Sequence, residues 1–146
     1  MHPDNSRMRL DELLVARGFF ESRSRARDAI RRATVRVDGR PAAKAGEGVP
    51  PDAEIAVDDP ARSYVSRSAL KLVAALDAFH LDPAGAEALD LGASTGGFVQ
   101  ALLERGVRHV TAIDVGHGQL HQRIAADPRV TSVEGLNVRD LKQRDL

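Results

Sequence analysis

The sequence predicts an α/β fold in two parts, a small α+β unit over residues 7–60 and a strand–helix–strand unit over residues 61–146. Three observations predict it. A short apolar run at Ala88–Leu91 breaks into Gly92-Ala93-Ser94-Thr95-Gly96-Gly97 and resumes at helical spacing through Val99, Leu102 and Leu103, which is the pattern of a strand, a tight turn and a helix. A second apolar run, Val110–Ile113, ends in Asp114. Charge is also divided unevenly: residues 7–44 hold 11 Lys/Arg against 5 Asp/Glu, and residues 45–146 hold 10 against 15. A chain of zero net charge thus joins a basic part, suited to a polyanion, to an acidic part with another task.

In chain order, the first helix is expected from about Leu10 to Arg17, with Leu10, Leu13 and Leu14 on one face and Gly18 as its stop. Ser22 reads as the N-cap of a second helix through about Arg32. On that helix Ala26, Ala29, Ile30 and Ala33 share an apolar face. Arg23, Arg27 and Arg31 step along one edge, and Arg25 and Arg32 lie on the far side. Five arginines on about three turns repel one another unless an anion lies across them; a merely solvated face is the plainer reading. Val35–Val37, the pair Asp38-Gly39 and Arg40-Pro41-Ala42 read as a hairpin. A loop holding Gly46, Gly48, Pro50 and Pro51 leads to a strand at Glu54–Val57, and Asp58–Ser63 reads as a linker. Leu72, Val73, Leu76 and Phe79 give the next helix its apolar face. Lys71 lies beside that face and is by default a snorkelling surface residue.

The glycine-rich turn brings backbone N–H groups and a helix N-terminus up to a ligand. A dinucleotide fingerprint would need Gly-x-Gly-x-x-Gly, and Ser94 stands where its second glycine would be. Asp114, at the end of the next strand, is placed to accept both ribose hydroxyls of a nucleoside, which suits an adenosyl cofactor of either kind. The plainer alternative is that the glycines only make a βα turn.

Composition narrows the classes. The chain is 42% apolar but 3% aromatic, so its core is aliphatic. The absence of cysteine excludes disulfides, thiolate metal sites and a cysteine nucleophile, and fits a reducing cytoplasm. No run reaches the apolar length of a membrane span, and Met1–Arg9 lacks the apolar core of a signal peptide, so a soluble, cytoplasmic protein is expected. His117 and His121 have helix-like spacing without an evident third ligand nearby, and no metal site is expected.

The segment Arg9-Leu10-Asp11, with Ser22-Arg23, Ala26, Ile30, Val35, Val37-Asp38-Gly39 and Lys44, resembles the S-four-type RNA-binding domain, which grips structured RNA through its backbone and shape. The resemblance and the local charge together make Arg9, Arg23, Arg25, Arg27, Arg31, Arg32 and Lys44 the expected RNA contacts. Where that family usually has glycine before the first strand, this chain has Ala33, which would be strained if the position requires positive φ.

The wider pattern is Ser66-Arg67, Lys71-Leu72, Asp90-Leu91-Gly92-Ala93-Ser94-Thr95-Gly96-Gly97-Phe98, Asp114-Val115-Gly116-His117-Gly118-Gln119-Leu120, Asp127-Pro128-Arg129-Val130 and Asn137-Val138-Arg139. It is similar to the TlyA family of RNA ribose methyltransferases, historically also labelled haemolysins, in which an S-four-type domain precedes an FtsJ-like, Rossmann-type methyltransferase domain. The resemblance implies S-adenosylmethionine as cofactor and rRNA or a ribosomal subunit as partner, with a 2′-hydroxyl methylated and no DNA or membrane involved. It implies that Asp90, Gly92, Ala93, Ser94, Gly96 and Gly97 hold the methionine end, that Asp114 holds the ribose, and that Asn137 lies where the adenine sits. Lys71 matches the first member of the family's Lys-Asp-Lys-Glu catalytic set. Ser68-Ala69 replaces a usual glycine pair, and Val138 a usual alanine. The rest of the catalytic set is expected beyond Leu146. The second unit therefore reads as an incomplete methyltransferase domain, with about three strands, an open edge and an uncovered face, in a truncated chain. An RNA-binding fragment without catalysis is the alternative. A membrane-active haemolysin has no apolar span or strongly amphipathic helix to support it.

Overall fold

A computed structural model describes residues 6–146; residues 1–5, part of the stretch read above for a signal peptide, lie outside the described residues. The chain forms two compact units that divide between Pro60 and Ala61.

The first unit runs β1 (Met8–Arg9), α1 (Leu10–Ala16), α2 (Arg23–Arg31), β2 (Val35–Val37), β3 (Arg40–Pro41), β4 (Gly48–Val49) and β5 (Ile55–Val57). Leu10, Leu14, Ala26, Ala29, Val35, Val37 and Val49 make its core mainly aliphatic, as composition predicts, but the aromatic Phe20 is buried in it too. Ser22 caps α2 as its sequence indicates, its hydroxyl accepting from the Arg25 N–H at 3.2 Å. Asp38 and Gly39 both have positive φ, 49° and 78°, as a two-residue hairpin turn between twisted strands requires. β2 lies between antiparallel β3 and β5. The pairing of β1 with β4 falls in a segment read above as loop. With two residues in each strand there is no alternation to detect, and the ladder continues into Leu10 N–H to Glu47 O and Asp11 N–H to Ala45 O, both 3.0 Å.

Ala33 departs from expectation in an instructive way. It is exposed, not on the apolar face of α2, and follows the helix with φ 59°. The Ala33 N–H donates to Ile30 O and the Thr34 N–H to Ala29 O, the two bonds that close a helix through a left-handed residue. The side chain therefore adds strain at a position suited to glycine. Ala33→Gly is expected to stabilise the unit by about 0.5–1 kcal/mol, the left-handed penalty of an L-residue less the added entropy of the unfolded chain. Thermal melting of the two proteins checks this, and a lower midpoint for the glycine variant would contradict it.

The second unit runs α3 (Ala69–Ala78), β6 (Glu87–Leu91), α4 (Gly97–Glu104), β7 (His109–Asp114), α5 (Gln122–Ala125) and β8 (Val130–Glu134). Its three strands are parallel in the order β6-β7-β8, with Leu91 level with Ile113 and Asp114 level with Glu134. Val99, Leu103, Val107, Val110, Ala112 and Ile124 form the core on one side. On β6 the alternation puts Asp90 inward and leaves Leu89 and Leu91 exposed. Phe79, expected on the apolar face of α3, is its C-cap and is 73% exposed; its N–H still donates to Ala75 O at 3.0 Å, so it keeps its place on the helix but is left largely uncovered. Among the described residues no helix is long and apolar enough to cross a membrane.

Candidate cofactor and RNA site

The carboxyl ends of parallel strands are where an α/β sheet leaves room for a ligand, and two adjoining recesses lie there. The first is lined by Ser66, Ser68, Asp90, Gly92–Thr95 and Phe98. Its floor turns through Gly92 (φ 78°), Ser94 (φ 51°) and Gly96 (φ 101°). The Gly92 and Ala93 N–H groups both donate to Ile113 O, at 2.8 and 3.0 Å, tying the loop to β7. Gly97 opens α4 where no side chain fits: a Cβ there would lie 2.7 Å from Ser68 Oγ and 3.1 Å from the Ala69 nitrogen. Gln100 holds the facing segment in place, accepting from the Val65 N–H at 2.7 Å and donating to Ser63 O at 2.9 Å. No side chain caps the first turn of α4.

Asp90 is buried in this recess, and its Oδ2 has no hydrogen-bond partner. Burial, and next the charge of Asp114, push its carboxyl above the usual range. A buried carboxylate without a donor costs free energy and calls for a donor or cation from outside the chain.

The second recess is lined by Ala93, Ser94, Ala112, Asp114, Gly116, Gln119, Leu120, Ser132 and Glu134. Asp114 accepts from the Ser94 N–H at 2.7 Å and the Gly116 N–H at 2.9 Å, so it joins the β6–α4 loop to the turn after β7. The Gly116 and Ser94 bonds hold its carboxyl below the usual range, and it stays ionised. Each oxygen keeps a further lone pair for a hydroxyl donor. Glu134, at the end of β8 and level with Asp114, was not singled out from sequence. The strand-end rule that selects Asp114 also selects it, and it accepts from the Gly118 N–H at 3.1 Å.

Asp90, Gly92, Ala93, Ser94 and Asp114 therefore line these recesses, while Gly96 and Gly97 shape the turn behind them. Asn137 lines neither; its side chain caps a short turn, accepting from the Arg139 N–H at 3.0 Å. Lys71 is exposed in the first turn of α3 and is not a lining residue. Ser66 and Ser68, which sequence reading did not place in the site, are lining residues with their hydroxyls 2.9 Å apart. The helix-like spacing of His117 and His121 is not realised. His117 sits in a loop, and His121 caps α5, its Nδ1 accepting from the Arg123 N–H.

In the first unit the anion expected to relieve the arginines comes partly from the chain itself. Asp11, on α1 and wholly buried, accepts a fork from Arg9, Nε to Oδ1 at 3.1 Å and Nη2 to Oδ2 at 3.0 Å. Oδ2 also meets Arg23 Nη2 at 3.4 Å and Arg27 Nε at 3.3 Å. The Arg9 hydrogen bonds hold the Asp11 carboxyl below its ordinary value. Arg31 pairs with Asp28 at 3.1 Å, and Arg32 is held by the buried Asp59 at 2.7 Å. Arg25 is half-buried and Lys44 exposed. Arg9, Arg23 and Arg27 are thus brought together, whereas Arg32 is committed to an internal partner.

The FtsJ-like methyltransferase family model matches residues 64–146, the whole of the sheet and both recesses. The chain belongs to this family. The S4 domain model matches residues 8–55. The TlyA resemblance holds at the level of whole-chain identity. The chain is 48% identical over 136 residues to the 16S/23S rRNA (cytidine-2′-O)-methyltransferase TlyA of Mycobacterium tuberculosis, covering 92% of this chain and 51% of that protein. It is 39% identical to Hemolysin A of Brachyspira hyodysenteriae over 93% of this chain and 56% of that one. A solved Streptococcus thermophilus protein bearing the hemolysin name superposes with a TM-score of 0.62 at 35% identity, covering 97% of this chain and 52% of that chain. The chain spans about half the length of the curated relatives it matches.

Proposed function

We propose that the chain supplies the S-adenosylmethionine site and the RNA grip of an rRNA ribose 2′-O-methyltransferase, with the cytidine 2′-hydroxyl named for its tuberculosis relative as the acceptor. The observation that carries this reading is the buried, unpartnered Asp90 in a recess cradled by glycines, beside the ionised Asp114. The donor set fits the cofactor. Asp90 would take the methionine ammonium, the uncapped start of α4 its carboxylate, Asp114 the ribose hydroxyls, and the Glu134 side of the second recess the adenine. When bound, the sulfonium supplies both the methyl group and its leaving group. The chain's own part is to fix that methyl and to bring the RNA to it.

Lys71, exposed near the Ser66–Ser68 wall, would lower the cost of deprotonating the 2′-oxygen by placing a cation beside it. The basic first unit would hold rRNA or a ribosomal subunit through phosphate contacts, which puts the reaction in the cytoplasm where ribosomes form. The alternative is RNA binding without transfer. Measuring both on one preparation, using labelled methyl groups and purified rRNA, separates the two.

The Asp90 assignment has its own test. Asp90→Asn is expected to weaken S-adenosylmethionine binding about tenfold, since it removes a charged acceptor, and to stabilise the second unit at neutral pH. The folded pKa of Asp90 lies above its unfolded value, so ionisation opposes folding. Stability from this group is fully present below the ordinary carboxylate range and is lost as pH rises through the raised pKa. Calorimetry and thermal melting read the two effects, and equal cofactor affinity in both proteins would reject the role.

A further inference from the structure

Asp11 is fully buried, yet the three arginine side chains that meet it are 45–50% exposed. A pair of this kind is a weak source of stability, because the desolvation of a buried carboxylate offsets most of the attraction and an apolar residue could fill the same volume. Its distinctive effect is geometric. Arg9 comes from β1, and Arg23 and Arg27 from successive turns of α2, and all three reach one oxygen of one side chain on α1. Arg23 reaches it through a single terminal nitrogen and Arg27 through Nε alone. Arg23 Nη1 turns to Glu12, and the remaining donors of these half-exposed side chains keep the planar arrangement that matches a phosphate. Glu12 adds a looser outer contact, 3.8 Å from Arg9 and 3.5 Å from Arg23.

From this arrangement we infer that Asp11 is the positioning residue of an RNA-phosphate clamp made by Arg9, Arg23 and Arg27. The inference rests on the RNA-binding reading of this unit. Three free arginines would each lose rotamer freedom when RNA binds; arginines tied to Asp11 lose it when the protein folds, and the RNA meets them already spaced.

The consequence runs against simple charge counting. Asp11→Asn removes a negative charge from a surface that meets a polyanion, so charge alone predicts tighter binding and a salt dependence steeper by about one ion. Loss of positioning predicts the reverse: affinity for purified rRNA about tenfold lower, with a flatter salt slope, while circular dichroism and melting show a folded chain. Arg27→Ala should then cost affinity in the wild-type chain and little in the Asp11→Asn background. Should the Asn variant not fold, Arg27→Lys, which keeps the charge but not the fork, carries the test and should bind several-fold more weakly. An Asp11→Asn chain that is folded and binds rRNA as tightly as wild type or more so, or an Arg27→Lys chain equal to wild type, overturns the clamp. A wild-type chain that binds no rRNA overturns the RNA reading itself, and the clamp with it.

Discussion

Asp114→Ala is expected to lower affinity for S-adenosylmethionine by about one to two decades, the loss of a charged acceptor for ribose hydroxyls. The effect has a second source. In the folded chain the same carboxylate takes the Ser94 and Gly116 N–H groups, so its removal frees both the β6–α4 loop and the turn after β7. Ser94 stands at φ 51°, and an L-residue stays there only while its surroundings hold it. The variant should therefore lose more affinity than one ribose contact accounts for, and amide exchange should quicken at Gly92–Gly96 and Gly116–Gly118. Asp114→Asn separates the two sources, because its one acceptor oxygen can keep a single backbone bond but not the charge. Because Gly116 and Ser94 hold the Asp114 carboxyl low, its contribution to folding is present above the ordinary carboxylate range and disappears as pH falls through the lowered pKa. Cofactor affinity should consequently be flat across neutral pH as far as this group is concerned. Calorimetry of the three proteins decides, and unchanged affinity in Asp114→Ala rejects the assignment.

The part of the site that can be read from the sequence is the part encoded locally. The change from an apolar run to glycines to helical spacing lies within Ala88–Leu103, and the structure builds β6, the turn and α4 from it. Asp114 is found by its place at the end of a strand, and Glu134 could have been found in the same way. What escapes a linear reading is what joins distant segments. The Asp11 contacts span 12 residues to Arg23 and 16 to Arg27, and a run of arginines on one helix gives no sign that a carboxylate on another will hold them. Ser66 and Ser68 enter the site because Gln100 clamps their segment to α4 across 35 residues. Asn137, which the TlyA resemblance places near the adenine, accepts from the Arg139 N–H across a local turn, and local capping competes for such side chains. Phe79 shows a limit of periodicity: its N–H keeps the helical bond to Ala75 O, but spacing along a helix does not say whether another element covers the face it marks.

Gly96→Ala is expected to damage the second unit severely. Two independent costs meet there. The backbone has φ 101°, beyond the left-handed region that an L-residue occupies even under strain. The new Cβ would also lie 2.8 Å from Leu120 Cδ1 and 3.2 Å from Ile124 Cγ2, and Ile124 is a buried, β-branched core residue with little room to yield. Together these should destabilise the unit by about 2–3 kcal/mol, lowering its melting midpoint by roughly 10 °C or more for a unit of this size. Because the Gly96 N–H closes the turn onto Ala93 O at 3.0 Å and its carbonyl accepts from the Gln100 N–H, the change should also shift the start of α4 and remove cofactor binding. Gly92→Ala is the internal comparison. It too has positive φ, 78°, but a Cβ there meets nothing within 4 Å, so its cost should be backbone strain alone, about 1 kcal/mol. Melting curves of the two variants give the answer: a clear gap between them measures the contact with Leu120 and Ile124, and equal midpoints would mean that the turn can move away from α5 and that Gly96 is needed only for its backbone.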